Sequence, residues 1–185
     1  MKITKEKAAE NRQLLVETAA RLFREKGIDG VGVAEISKAA GLTHGALYAH
    51  FPSKDALAAE AMQFSTRSAY GKVTARPVSL PELIDYYLAP EQRDNLAEGC
   101  PLAAAASEVA RQDMAVAANY TSGYRQMVDY ISSQLPAGEG RQQQAQAIMA
   151  ALIGALSVSR NVYKSDPKLA NEILESVRSM LFKLS

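Results

Sequence analysis

The sequence contains a single cysteine, Cys100, among its 185 residues. One thiol excludes an intramolecular disulfide framework and is typical of a reducing compartment. Tryptophan is absent, and the only two histidines, His44 and His50, lie close together. The rest of the chain therefore offers no Ser/His/Asp or Cys/His arrangement, and no cluster has the spacing of metal ligands. We expect no catalytic residues, no metal site and no cofactor.

The chain also lacks a large excess of charge and long apolar runs. Its formal net charge is +1, although residues 1–54 hold nine basic and six acidic residues, net +3, and residues 55–185 hold twelve and fourteen, net −2. The longest apolar run, 147–156, has ten residues and is too short to span a bilayer. The charged N-terminus does not resemble a signal peptide. These features predict a soluble cytoplasmic protein without membrane contact.

The sequence shows no alternating strand pattern, is rich in alanine, and predicts an all-α fold of about nine helices. A capping box at Ser79–Glu82 and the Asp166-Pro167 pair mark two of the helix starts. The predicted helices are 4–26, 33–40, 43–51, 54–72, one opening at 79–82, 100–111, 113–135, 141–164 and 166–183. Residues 76–79 are predicted to be a break and residues 89–99 a polar loop.

Two short helices separated by a glycine are predicted between residues 33 and 52. Gly41 stands where the end of a helix favours a left-handed residue. Thr43 is a good N-cap for the second helix, which should end near Phe51 because Pro52 disfavours a helical residue before it. This pattern is typical of a helix-turn-helix unit, whose second helix fits the major groove of DNA.

Six residues of this unit are predicted to face DNA once Leu47 and Phe51 are directed to the core. Their hydroxyl and imidazole groups can reach phosphates or base edges, the glycine permits close approach, and the lysine can neutralise a phosphate. They are Thr43, His44, Gly45, Tyr48, His50 and Lys54. The spacing alone leaves an alternative, a helical hairpin whose polar residues only face water.

Residues 7–57 resemble the N-terminal DNA-binding domain of the TetR/AcrR family of bacterial transcriptional regulators. The resemblance is carried by residues 23–27, 33–37, 40–42 and 45–57. It implies a regulator, most commonly a repressor, that binds a palindromic operator in double-stranded DNA and is released by a small-molecule effector. Gly32 stands where the family usually has Thr or Ser, so the phosphate contact of that hydroxyl is not expected here.

The same resemblance implies a DNA-binding domain over residues 1–54, a connecting helix over 54–72, and an effector-binding and dimerisation domain over 73–185. The last two predicted helices contain small residues that permit close helix packing, namely Ala147, Ala151, Gly154 and Ala155. These helices either close the core of their own subunit or form a homodimer. The resemblance favours the homodimer, since two recognition helices can then reach two half-sites.

Tyrosines and methionines of the C-terminal part are candidates to line an effector cavity, with plain core packing as the alternative. Among them we select Met62, Tyr87 and Tyr124.

Cys100 is a further candidate, because residues 96–103 resemble a Gly-Cys segment of a family subset in which some members sense oxidants or electrophiles. Its predicted place at a helix N-terminus should lower the pKa of the thiol, and Arg160 is the candidate neighbouring cation. The alternatives are that Cys100 only packs and that Arg160 pairs with Asp166. A single-cysteine redox enzyme using Cys100 is the alternative function.

Overall fold

The computed structural model describes residues 4–75 and 78–184. Across these residues the chain forms ten α-helices, one short 3₁₀ helix and no strand, so the all-α prediction is confirmed with one helix more than expected. The α-helices are α1 (Lys5–Lys26), α2 (Val33–Ala39), α3 (His44–Tyr48), α4 (Lys54–Ala75), α5 (Leu80–Tyr87), α6 (Pro90–Asp94), α7 (Pro101–Ala105), α8 (Met114–Gln134), α9 (Arg141–Tyr163) and α10 (Pro167–Leu181). The 3₁₀ helix is Val109–Arg111.

Most predicted helix starts are confirmed, and four of them are capped by a side chain. Thr4 caps α1, Ser79 and Glu82 form the capping box of α5, and Asp113 caps α8. Asp166 accepts a hydrogen bond from the Leu169 N–H with proline at the first helical position. The predicted break over residues 76–79 falls partly on Arg76 and Pro77, which lie outside the described residues.

Two helix ends differ from the prediction. Helix α3 ends at Tyr48, before the predicted end near Phe51, and α4 continues past Lys72 to Ala75. Residue 49 is the C-cap of α3, and its N–H donates to the carbonyl of Gly45. The unit between α2 and α4 is therefore more compact than a longer second helix would make it.

The predicted polar loop over residues 89–99 is wrong in part, because it contains α6. Arg93 of this helix is only 4% exposed. Its guanidinium pairs with Asp94, donates to Asn171 at 2.7 Å and lies 3.8 Å from the ring centroid of Tyr163. A proline that we interpreted as part of a loop, Pro90, is the first residue of this helix.

The predicted helix over residues 100–111 begins where expected but is wrong in its length, since α7 ends at Ala105 and the 3₁₀ helix follows. Between them, Glu108 accepts a hydrogen bond from the backbone N–H of Ile28 at 2.9 Å. Val109 packs among residues of the N-terminal helices. Contacts with a distant part of the chain therefore accompany the interruption of this helix.

Two hydrophobic clusters form the core. The first joins α1–α4 and also includes Ala105, Val109 and Val116. The second joins α5 and α7–α10, with Leu83, Ile148, Met149 and Leu152 essentially inaccessible. Helix α4 packs against α1 on one side and α8 on the other, so it connects the regions of the two clusters.

Helix α9 is long and apolar enough, by length and composition alone, to cross a membrane, with a mean hydropathy of 1.2. The ten-residue run 147–156 does not indicate this property, because a longer helix can reach that mean with polar residues interspersed. Here 44% of the stretch is buried inside the protein, and α9 packs between α8 and α10. A core helix of a folded domain passes the same test.

Candidate nucleic-acid interface and effector cavity

The α2–α3 unit is formed by local contacts. Gly41 has a φ of 67°, the left-handed conformation that glycine adopts without steric cost. The Oγ1 atom of Thr43 accepts a hydrogen bond from the Ala46 N–H at 3.3 Å and caps α3. Leu47 and Phe51 are 0% and 1% exposed, so the opposite face of α3 is directed outward.

The six predicted DNA-facing residues lie on or beside this outward face. Thr43, His44, Gly45 and Tyr48 are exposed, while His50 and Lys54 are half-buried. Tyr48 is 49% exposed, and its ring lies edge-on to His44 with 5.3 Å between centroids. A Cβ atom at Gly45 would meet nothing within 4 Å, so space for a neighbouring molecule is open there. Lys38 of α2 is exposed as well, and the sequence analysis did not select it.

Helix α1 fixes the orientation of the unit. The guanidinium of Arg12 lies 4.7 Å from the ring centroid of Phe51 and pairs with Glu60 of α4. At the other end of α1, Lys26 pairs with Glu35 of α2 at 2.5 Å. The α2–α3 unit is thus held from both ends of one helix.

A cavity of about 740 Å³ lies between α1, α4, α5, the residues before and at the start of α7, α8 and α9. Its volume is within the range of about 300–1,000 Å³ that is usual for sites of small organic ligands. Buried lining residues include Leu83, Tyr87, Leu102, Met127 and Met149. Helix α4 lines this cavity from Phe64 to Val73 and begins at Lys54 beside α3. One helix therefore joins the two candidate sites.

The structure brings only two of the five effector candidates, Tyr87 and Cys100, into the lining of this cavity. Met62 is 7% exposed, packs in the first cluster and lines a separate crevice of about 20 Å³. The hydroxyl of Tyr124 donates to the carbonyl of Gln146 at 3.3 Å. Arg160 lies behind the wall, since a Cβ atom at Gly99 would be 2.7 Å from its Nη2.

The thiol of Cys100 accepts a hydrogen bond from the hydroxyl of Tyr87. Burial raises the pKa of Cys100. The Tyr87 hydroxyl, the backbone N–H groups at the start of α7 and the nearby Arg160 lower it, but burial has the larger effect. The lowered pKa that we predicted from the helix N-terminus is therefore wrong in direction, because desolvation outweighs the local dipole.

Arg160 does not form the pairing with Asp166 that the sequence left open, because Asp166 caps α10 instead. Its Nε donates to the carbonyl of Arg93 at 3.1 Å, and its Nη2 donates to the carbonyl of Gln92 at 2.8 Å. Arg160 thus holds α6 against α9.

Contacts that the sequence analysis missed join the cavity wall to the end of α1. The Nε of Arg24 donates to the carbonyl of Ala97 at 2.6 Å, and its Nη1 donates to Ser65 of α4 at 2.8 Å. Glu108 lies against Gly27, whose φ is 81°, and binds the next N–H. The partners are 73 and 80 residues apart, so no local pattern could have indicated them.

The structure thus contains an exposed polar helix in a helix-turn-helix unit, which one long helix joins to a body with a ligand-sized cavity. Residues 15–61 match the family model of the bacterial regulatory proteins of the tetR family. The resemblance found in the N-terminal sequence is therefore confirmed over these residues.

Similarity in sequence is concentrated in the N-terminal part. The HTH-type transcriptional regulator AcrR of Shigella flexneri is 44% identical over 62 residues, which cover 34% of this chain and 29% of the relative. The HTH-type transcriptional repressor KstR2 of Rhodococcus jostii is 38% identical over 58 residues, 31% of this chain and 28% of the relative. The match thus spans less than a third of each relative's length.

Similarity in fold extends over nearly the whole chain. The crystal structure of the reduced form of E. coli NemR superposes with a TM-score of 0.75 at 20% identity. The superposition covers 92% of this chain and 94% of that chain. The two proteins therefore share their arrangement of helices.

Proposed function

We propose that the protein is a sequence-specific transcriptional repressor that binds a palindromic operator through α3. The observation that carries the proposal is the outward face of α3, where Thr43, His44, Gly45 and Tyr48 are exposed over a buried Leu47. The name of the Rhodococcus relative, a repressor, supports this mode of action. In this proposal residues 1–54 form the DNA-binding unit, and the protein acts in the cytoplasm.

In the proposal, a small molecule in the cavity releases the operator. A ligand achieves this only if it binds the arrangement that is incompetent for DNA more tightly. Helix α4, which lines the cavity and starts at Lys54, carries the change toward α3. Couplings of about 1–3 kcal/mol between two sites change operator affinity by about 5–150-fold.

The test of DNA binding uses fluorescence anisotropy with DNA from upstream of the protein's own gene. Tyr48→Ala and Lys54→Gln should weaken binding without changing thermal stability, and Lys54→Gln should reduce the salt slope by about 0.9, as expected for one lost phosphate contact. Lys164→Gln removes the same charge from the far end of the chain and is the matched control. If Tyr48→Ala and Lys54→Gln both bind like the wild type, the placement of α3 on DNA is wrong.

The proposal includes a homodimer in which α9 and α10 of two subunits pack together. Along α9, Ala147 and Val158 are exposed, and Ala151 and Gly154 are partly exposed on the same face. On α10, Leu169 and Met180 are 42% and 48% exposed. Ala155, in contrast, is 5% exposed and belongs to the core of its own subunit, so it is left out of the proposed interface.

Gly154→Leu tests the dimer. A Cβ atom at Gly154 would meet nothing within 4 Å, so the isolated subunit tolerates the change, whereas an overfilled interface loses about 1–3 kcal/mol. Sedimentation at micromolar concentration should show a shift toward monomer, and operator binding should fall with it. Gly71→Leu makes the same change at another open helical glycine and is the control. A wild-type protein that sediments as a monomer would overturn this part of the proposal.

The alternative, a redox enzyme using Cys100, is not supported by its chemistry. A raised pKa leaves little thiolate at neutral pH, and the thiolate is the nucleophile. We therefore expect no peroxide turnover, and we propose that the effector binds reversibly.

A further inference from the structure

Six charged side chains lie around the cavity, three cations and three carboxylates. They are Arg21, Arg24, Lys72, Glu17, Glu82 and Glu98. The formal charge of this ring is therefore zero. Whether it attracts a charged ligand depends on whether any member lacks a partner in the protein.

Each of the three cations is already bound. Arg21 pairs with Glu25 at 3.1 Å, and Lys72 pairs with Glu98 at 3.0 Å. Arg24 donates to a backbone carbonyl and to a serine hydroxyl, and its Nη2 lies 3.9 Å from Glu98. A ligand anion would have to replace one of these contacts.

The carboxylates are bound as well. Glu17 accepts a hydrogen bond from Gln13 at 2.9 Å. Glu82 accepts from the N–H of Ser79 at 2.8 Å and from its hydroxyl at 2.7 Å. The hydrogen bond from Lys72 lowers the pKa of Glu98, which stays ionised. A ligand cation would face the same competition.

The buried part of the lining is neutral and mainly apolar. Leu83 and Met149 are 1% and 0% exposed, and Leu102 is 2% exposed. Burial raises the pKa of both Tyr87 and Cys100, so their hydroxyl and thiol are uncharged at neutral pH. The Tyr87 hydroxyl is used toward Cys100, which leaves its oxygen as an acceptor.

We infer that the cavity takes an uncharged, mainly apolar organic molecule with few hydrogen-bonding groups. A charged ligand would lose its hydration in this site, and each charged side chain of the lining already has a partner in the protein, so its transfer is unfavourable. Met127 and Met149 in the lining adapt their shape to such a molecule at low cost. The inference rests on the proposal that this cavity is the effector site.

The first experiment compares two fluorescent probes with one skeleton, N-phenyl-1-naphthylamine, which is neutral, and 1-anilinonaphthalene-8-sulfonate, which is an anion. We expect the neutral probe to bind about tenfold more tightly, because the sulfonate loses its hydration while the cations of the lining already have partners. As competitors, 2-naphthylmethanol should displace the neutral probe at about tenfold lower concentration than 2-naphthylmethylammonium. Ala69→Trp adds a bulky ring to the lining and should weaken binding of the neutral probe, while Ala118→Trp on the exposed face of α8 should not.

The second experiment creates a free cation. Glu98→Gln leaves Lys72 without its carboxylate and removes the charge that lies 3.9 Å from Arg24. The affinity for the sulfonate probe should rise at least about fivefold, with no change for the neutral probe. Glu10→Gln, which breaks the exposed Lys7 pair on α1 away from the lining, removes the same charge and should change neither.

Equal or tighter binding of either charged probe to the wild type would overturn the inference, as would neutral-probe binding that Ala69→Trp leaves unchanged. Operator binding is measured separately without probe. If the wild-type protein does not bind the operator but still prefers the neutral probe, the proposed repressor function is refuted and the inferred ligand class is not. The reverse result would refute the ligand class alone.

Discussion

The helix-turn-helix unit and residues 89–112 are both built from very short helices, but they are held in opposite ways. In the first, Thr43 and Ser53 bind N–H groups three residues ahead. In the second, Arg160 binds carbonyls 67 and 68 residues away, and Arg93 binds Asn171 across 78 residues. The first region combines these local caps with contacts from α1, whereas the second depends on side chains that reach it from distant helices.

This difference indicates where each region is vulnerable. A local cap satisfies one exposed N–H group, and water can replace it when it is lost. Arg160 satisfies partly buried carbonyls of α6, and water reaches such groups less readily. Substitutions should therefore cost more in residues 89–112, or in the residues that hold them, than in the caps of the helix-turn-helix unit.

The largest effect is expected for Arg160→Met, which keeps the unbranched part of the side chain as far as the position of Nε and removes the donors. Leaving two partly buried carbonyls unsatisfied should lower the free energy of unfolding by about 3 kcal/mol. Urea unfolding followed by circular dichroism measures this loss, with Arg125→Met on the exposed face of α8 as control. Equal stability of the two variants would remove the basis of the comparison.

A smaller effect is expected for Thr43→Ala in the helix-turn-helix unit. Loss of an N-cap costs about 1 kcal/mol, and Thr43→Ser should restore most of it because serine caps equally well. The same urea titration applies. If Thr43→Ala costs as much as Arg160→Met, the distinction between local and distant support does not hold.

The smallest effect concerns reactivity rather than stability. Because burial raises the pKa of Cys100, its alkylation by iodoacetamide should have a midpoint above the usual cysteine value of about 8.5. Tyr87→Phe removes a hydrogen bond that lowers this pKa, so the midpoint should move further up. Cys100→Ser should leave ligand-induced release of the operator unchanged. A midpoint near neutral pH would instead support a sensing thiol.

The same distinction explains what the sequence could predict. Gly41, Thr43 and the capping box at Ser79 act within a few residues, so periodicity and cap chemistry predicted these elements correctly. Helix α6 was missed because its stability depends on Arg93 and Arg160, whose partners are close only after folding.

The candidate cavity was predictable only in part. Tyrosine and cysteine side chains indicated some of the lining, but nothing local distinguished Tyr87, which lines the cavity, from Tyr124, which does not. The charged ring formed around Arg24, Lys72 and Glu98 depends on contacts between α1, α4 and the segment before α7. Contacts between distant elements produce no regular spacing of residues in the sequence, so they could not be predicted from it.

The first hydrophobic cluster limits how the N-terminal helices can be exchanged between proteins. Ala105, Val109 and Val116 complete the core of α1–α4, although they follow it by thirty residues or more along the chain. A fragment that ends at Ala75 would lack these three side chains and expose the apolar surface beneath them. A chimaera that joins α1–α4 to the C-terminal domain of another protein would therefore fold only if that domain placed apolar residues of similar size against the same surface. The part of the chain that must be transferred as a whole is therefore larger than the part proposed to contact DNA.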